Sequence, residues 1–174
     1  DEAVEELDEA AHGGKGDAVD ALDHALDHEA QDLGEDEREV LEEAAQVAKG
    51  GYVVMDAAKP AAVLIATGSE VATLVEGAEL LAAEGIPVRV VNVPSEGLFR
   101  DQPRSYQESV LPAGVARYGM TSGLPVNLRG LVGENGVIHG LDHFGWSAPY
   151  KVLDEKFGYN GATVAAEVKK MLGK

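Results

Sequence analysis

The sequence contains no cysteine, a single tryptophan and few other aromatics. The first absence excludes disulfides and thiol chemistry, and permits a reducing compartment without requiring one. No apolar run approaches the roughly 20 residues of a membrane span. The acidic start also lacks the basic region of a signal peptide. No membrane partner is expected, and a cytoplasmic location is the default. Basic residues are scarce too: 14 Lys and Arg stand against 31 Asp and Glu, a net charge of −17. The deficit is local. Residues 1–46 hold 18 acids against Lys15 and Arg38, whereas the remainder holds 13 acids and 12 bases. This argues against nucleic acid or an anionic membrane as partner of the N-terminal part, since blocks of like charge repel such surfaces and stay solvated.

With 174 residues and 45% hydrophobic content, the chain has room for one medium domain and a small appendage. Residues 1–46 read as an acidic helical segment that docks, pairs with a partner or stays partly disordered. Val4, Leu7 and Ala11 precede the break His12-Gly13-Gly14-Lys15-Gly16. Val19, Leu22, Leu26, Ala30 and Leu33 form a narrow stripe behind the N-cap candidate Asp17. Val40, Leu41, Ala44 and Val47 suggest a third helix. Such alanine-rich stripes bury too little area to fold alone, at about 25 cal/mol per Å2. Gly13-Gly14-Lys15-Gly16 lacks the spacing of a phosphate loop and reads as linker. His24 and His28, four apart with Asp20 nearby, share a helix side and form a metal-ligand candidate beside the plainer reading of a solvated face.

Residues 47–174 alternate strand and helix patterns. Gly50-Gly51 reads as a hinge before the strand Tyr52 to Met55. Ala62 to Ala66 is an apolar strand. The turn Thr67-Gly68-Ser69-Glu70 opens a helix, with Thr67 and Glu70 at capping-box spacing. Val71, Leu74, Val75, Ala78, Leu81 and Ala82 recur at helical period until Gly85 and Pro87. Val88, Val90, Val91 and Val93 form the next strand, completing a βαβ unit with parallel strands. Further on, Leu98 and Phe99, then Tyr106, Val110 and Leu111, mark two short amphipathic turns. Val115 to Thr121 and Gly136 to Leu141 are strand candidates, with a loop or irregular helix over 123–130 between them. Ser147-Ala148-Pro149 starts a helix with Tyr150, Val152, Leu153 and Phe157 on one face. Asn160 or Thr163 caps the last helix, whose Val164, Val168 and Met171 or Leu172 face inward. The sum is a doubly wound α/β domain of about five strands.

Ligands in such folds favour the crevice beyond the carboxyl ends of the strands. Thr67, Gly68, Ser69 and Glu70 lie at such an end and at a helix N-terminus, where free amides favour an anion. A simple turn and cap is the preferred alternative, because Glu70 already brings negative charge there. His139 and His143 are four apart but fall on a strand and the following turn, so they need not converge. Arg104, Arg117 and Arg129 are phosphate-binding candidates that the sequence alone cannot bring together. No Ser-His-Asp or Cys-His set stands out.

ATGSEV (66–71), EGIPVRVVNVPSEGLF (84–99), SYQESVLP (105–112) and HFGWSAPYKVLDEKFG (143–158) resemble the C-terminal domain of transketolases, and GGYVVMDAAKP (50–60) resembles its entry segment. The likeness runs from about Val47 to the end. It implies a mostly parallel sheet. It further implies a non-catalytic module that packs on a pyrimidine-binding domain and supports a homodimer. Transketolases move a two-carbon ketol unit between sugar phosphates with thiamine diphosphate and a divalent metal, held by two other domains. The Gly-Asp-Gly signature with its following Asn is absent here, so no catalytic or cofactor-binding residue is carried over. Against that resemblance two departures stand out: an acidic segment of 46 residues stands where the pyrimidine-binding domain is expected, and Thr121 occupies roughly the place of a family glutamate. In that family His143 to Pro149 is a marker whose physical role reads as tight turn, aromatic plug and helix start.

The leading expectation is a module that complements a separate thiamine-diphosphate chain in ketol transfer or mediates assembly as a homo-oligomer. One alternative is a stand-alone binder of a nucleotide or sugar phosphate at residues 67–70. Another is an acidic-helix module for a basic protein partner.

Overall fold

The structure, a computed structural model, describes residues 45–174. The stripe of residues 17–34 and the metal candidates Asp20, His24 and His28 lie outside the described residues. Five strands form one sheet in the order β1-β3-β2-β4-β5: Tyr52–Met55 (β1), Ala62–Ala66 (β2), Val88–Asn92 (β3), Ala116–Met120 (β4) and Val137–His139 (β5). β3, β2, β4 and β5 pair in parallel, and β1 runs antiparallel along β3. The sheet is therefore mixed but mostly parallel, as the family resemblance implies.

All five residues of β2 are buried, because helices cover both faces of this central strand. Successive side chains of a strand point to opposite faces, so β2 feeds two cores. Leu64 joins Val90, Tyr118 and Met120 beneath the helices Glu70–Ala83 (α1) and Gly161–Met171 (α6). Val63 and Ile65 join Val91, Phe99, Val110 and Leu131 on the other side. That second layer is built from Glu96–Asp101 (α2), Arg104–Val110 (α3), a 3-10 turn at Pro125–Leu128 and the short Arg129–Val132 (α4). Tyr150–Phe157 (α5) buries no residue.

The helix ends show which local signals operate. α1 stops in a Schellman arrangement: Ile86 N–H donates to Leu81 O at 2.9 Å and Gly85 N–H to Ala82 O at 2.9 Å, with Gly85 at φ 74°. Its start differs from the expected capping box. Ser69 is already helical, Thr67 is exposed and no side chain caps the helix. The positive φ of Gly68 (68°) lets the chain turn directly from β2 into the helix. At α6 it is Asn160 that caps, its Oδ1 accepting from Thr163 N at 2.9 Å. Asn160→Ala is therefore expected to cost about 1 kcal/mol in urea denaturation. Thr67→Ala should cost less than about 0.5 kcal/mol, the usual range for an exposed change that breaks no contact.

Three further expectations change. Gly50 and Gly51 are not a hinge but a close crossing. A Cβ on Gly50 would stand 2.5 Å from Phe99 N and Ser95 O, and one on Gly51 would stand 2.8 Å from the Phe99 ring. Ala82, assigned to the apolar face of α1, is exposed, and Gly77 is buried in that face instead. The face expected on α5 is split: Leu153 and Phe157 are half-buried, Tyr150 and Val152 are exposed, and Pro149 rather than Ser147 stands at the N-cap.

Candidate functional site

The carboxyl ends of β2, β4 and β5 meet at one edge of the sheet. There the loops after β4 and β5 are stitched together. Thr121 N–H donates to His139 O at 3.0 Å, and Leu141 N–H donates to Gly123 O at 3.0 Å. Thr121 Oγ1 accepts from Gly123 N at 3.1 Å and so shapes this turn. A cavity of about 520 Å3 opens beside it, with Ser69, Glu70, Trp146, Tyr150, Asp154 and Tyr159 among its walls. Tyr159 donates its hydroxyl to Thr121 O at 2.8 Å. Burial, reinforced by the negative charge of Glu70, pushes its phenol up to about 12.

Of the residues expected at this edge, Thr67, Gly68 and Ser69 are exposed and Glu70 is half-buried. Ser69 and Glu70 reach the cavity wall, where Asp154 adds a second carboxylate. The electrostatics there favour a cation or a neutral group over the anion that a bare helix start attracts. Among the described residues no group of three His, Cys, Asp or Glu could hold a metal ion. No chemical step through a metal is therefore derived at this edge.

His139 and His143 do not converge. His143 Nδ1 lies 2.8 Å from the carbonyl of Phe144, at the surface. His139 faces inward between acceptors. Its Nδ1 is 3.2 Å from both Glu167 carboxylate oxygens, and its Nε2 is 2.8 Å from Phe157 O. Glu167 also accepts the Tyr118 hydroxyl at 2.7 Å. Its hydrogen bond to Glu167 holds the His139 pKa above 6.5 against the opposing effect of burial, and the same bond holds Glu167 below 4.5. Burial first, and the Glu167 carboxylate second, push the Tyr118 phenol up. With both nitrogens engaged, His139 has none left to serve as a base, so this cluster braces α6 against the end of β5.

The aromatic plug expected of His143 to Pro149 is only partial: His143 and Trp146 pack on the Phe157 ring, with centroids 5.4 and 5.3 Å away, but stay open to solvent. Phe144 is 96% exposed and Trp146 58% exposed. Tyr150 and Val152 of α5 continue the same surface at 69% and 53%. Sequence reasoning placed these side chains inside because a periodic apolar face reveals that something covers it, not what does. Asp154 and Tyr159 were missed as cavity residues, having no spacing that marks them. Arg104 and Arg117 line one cleft on the opposite face of the sheet, joined by Arg100, while Arg129 donates to Gly133 O at 3.1 Å instead.

A three-layer α/β domain with one antiparallel edge strand and a carboxyl-edge cavity defines the class. A family described as the transketolase-like TK C-terminal domain matches residues 50–160, and the chain belongs to that family. A plasmid-borne transketolase of Cupriavidus necator is 45% identical over 74% of this chain and 19% of its own length. Transketolase 1 of Escherichia coli is 44% identical over 82% of this chain and 22% of its own. The chain thus spans about a fifth of these curated relatives. Among solved structures, transketolase from Leishmania mexicana superposes with a TM-score of 0.68 at 34% identity, over 73% of this chain and 18% of that one. A split-gene transketolase described as an inactive β4 tetramer superposes at 0.53 and 22% identity, over 78% of this chain and 54% of that one, a likeness of fold alone.

Proposed function

We propose that this domain supplies no catalytic group and instead completes a transketolase, docking on thiamine-diphosphate-binding domains carried by a separate chain. The observation that supports the reading is the uncovered apolar surface Phe144, Trp146, Tyr150 and Val152 at the carboxyl edge. Trp146 and Tyr150 share the wall of the carboxyl-edge cavity, Phe144 stands beside Trp146 on the loop, and Val152 is exposed one turn into the helix. Exposed aromatic clusters of this kind mark association surfaces more often than free monomer surface. The occupant is argued from the relatives, which carry about four-fifths of their length beyond the part matched here. Leu124 and Val126, before and within the 3-10 turn after β4, add exposed apolar side chains at 54% and 66%.

The test is reconstitution. The 174-residue chain alone should give no ketol transfer from xylulose 5-phosphate to ribose 5-phosphate. Mixed with a transketolase truncated before its C-terminal domain, it should co-elute in size-exclusion chromatography and raise the stability or activity of that chain. Phe144→Ser combined with Trp146→Ser should weaken the complex at least tenfold, because buried aromatic anchors carry about 2 kcal/mol or more of such interfaces. Turnover by the lone chain, or stoichiometric thiamine diphosphate bound to it, would overturn the reading.

A further inference from the structure

A second cavity lies far from the carboxyl edge, on the face covered by α2, α3 and α4. It encloses about 370 Å3, and its walls include Arg100, Arg104, Gln107, Glu108, Arg117 and Gly130. Three arginines from three different elements therefore line one cleft. Two have carboxylate partners at the rim: Arg100 pairs with Glu96 at 2.6 Å and Arg104 with Glu108 at 2.8 Å. The Arg104 side chain is 89% exposed, so water screens its pair and leaves it easily exchanged.

Arg117 is different. It stands half-buried near the start of β4, and among the described residues no carboxylate pairs with it. Its guanidinium donates to Leu131 O at 2.7 Å and to Leu111 O at 3.1 Å. Those bonds use two of the five N–H donors a guanidinium carries. They also fix its plane. A half-buried charge whose hydrogen-bond partners among the described residues are two carbonyls is costly, and its lowered pKa has burial as its cause. An anion entering the cleft would remove that cost. Gly130 keeps the wall low, since a Cβ there would meet Arg100 Nη2 and Glu96 Oε1 at 2.5 Å.

We propose that this cleft binds a phosphate group, with Arg117 as its fixed anchor and Arg104 and Arg100 closing on it from the rim. Planar, multidentate donors suit phosphate oxygens, and the volume leaves room for a small organic moiety on the phosphate. The site is independent of the docking surface above, on other elements and with other residues. Failure of either proposal leaves the other standing.

The full chain would be titrated calorimetrically at constant ionic strength with inorganic phosphate, with a sugar monophosphate and with the free sugar. Saturable binding of one phosphate per chain is expected. Arg104→Ala should weaken it roughly tenfold, about what one charge-assisted hydrogen bond contributes. Glu108→Gln, which removes the competing carboxylate, should tighten it roughly two- to fivefold, the worth of a screened pair. Arg117→Lys should abolish it while the melting temperature, read in parallel, shows the fold retained. Arg129→Ala, outside the cleft, should change nothing. A sugar phosphate binding more tightly than phosphate identifies an organic ester as the ligand, and equal affinities identify the inorganic ion. No saturable phosphate binding, or an equal loss in Arg104→Ala and Arg129→Ala, would overturn the site.

Discussion

Gly77→Val is expected to destabilise the domain by about 3 kcal/mol, at the upper end of the usual range for overpacking. Gly77 lies inside α1, where a glycine is normally a loss of up to about 1 kcal/mol relative to alanine. Here it is where α6 crosses. A Cβ on Gly77 would stand 2.5 Å from Val164 Cγ1, and one on Gly161 would stand 2.8 Å from Glu76 Cβ. Two glycines thus let the helices approach closely, and Leu74, Ala78, Val164 and Val168 close the core around the crossing. Gly77→Ala sets the propensity gain against the clash, and the clash should win by about 1 kcal/mol. Adding Val164→Ala should restore part of that loss, because residues in contact couple by roughly 0.5–3 kcal/mol. Urea denaturation of the four species reads this cycle. Additive losses would mean that the helices slide apart rather than clash. For a domain whose total stability is about 5–15 kcal/mol, the Val variant decides whether it folds well.

The second large effect is expected at Glu167. Glu167→Ala leaves the fully buried Tyr118 hydroxyl without its acceptor, at a cost of about 1–3 kcal/mol. Glu167→Gln should lose less, since an amide oxygen still accepts from Tyr118. The pair with His139 gives a pH signature whose sign follows from the two shifts. His139 has a raised pKa, so its contribution is full below the unfolded value of 6.5 and fades as pH rises through the folded value. Glu167 has a lowered pKa, so its contribution is full above 4.5 and fades as pH falls through the folded value. Both are present between 4.5 and 6.5. The melting temperature should peak in that window and decline toward pH 8. The high net negative charge also favours the acid side, so the variant is the control. Glu167→Gln should flatten the alkaline decline, and an unchanged slope would mean that His139 does not draw its stabilisation from Glu167.

The βαβ unit was legible because its signals are local. The five apolar residues of β2, the helical period of α1 and the Gly85 stop each depend on near neighbours, and all three are observed. Gly77 was not legible, since a glycine within a helical pattern says nothing about which helix will cross it. The Thr67–Glu70 spacing suited a capping box, but Gly68 takes a positive φ and brings Ser69 into the helix early. His139 carried no sign of Glu167, 28 residues away and on another element. The same holds for Arg117, whose companions Arg100 and Arg104 reach it only through the packing of α2 and α3 on the sheet.

Trp146 is the only indole in the chain, and it stands at the surface against Phe157, with Lys156 5.3 Å from its ring centroid. Its emission therefore monitors the loop after β5 and not the interior of the sheet. A denaturation curve followed by tryptophan fluorescence can part from one followed by circular dichroism without any folding intermediate, because the two probes watch different regions. The same placement makes the fluorophore a built-in sensor for whatever comes to cover that loop.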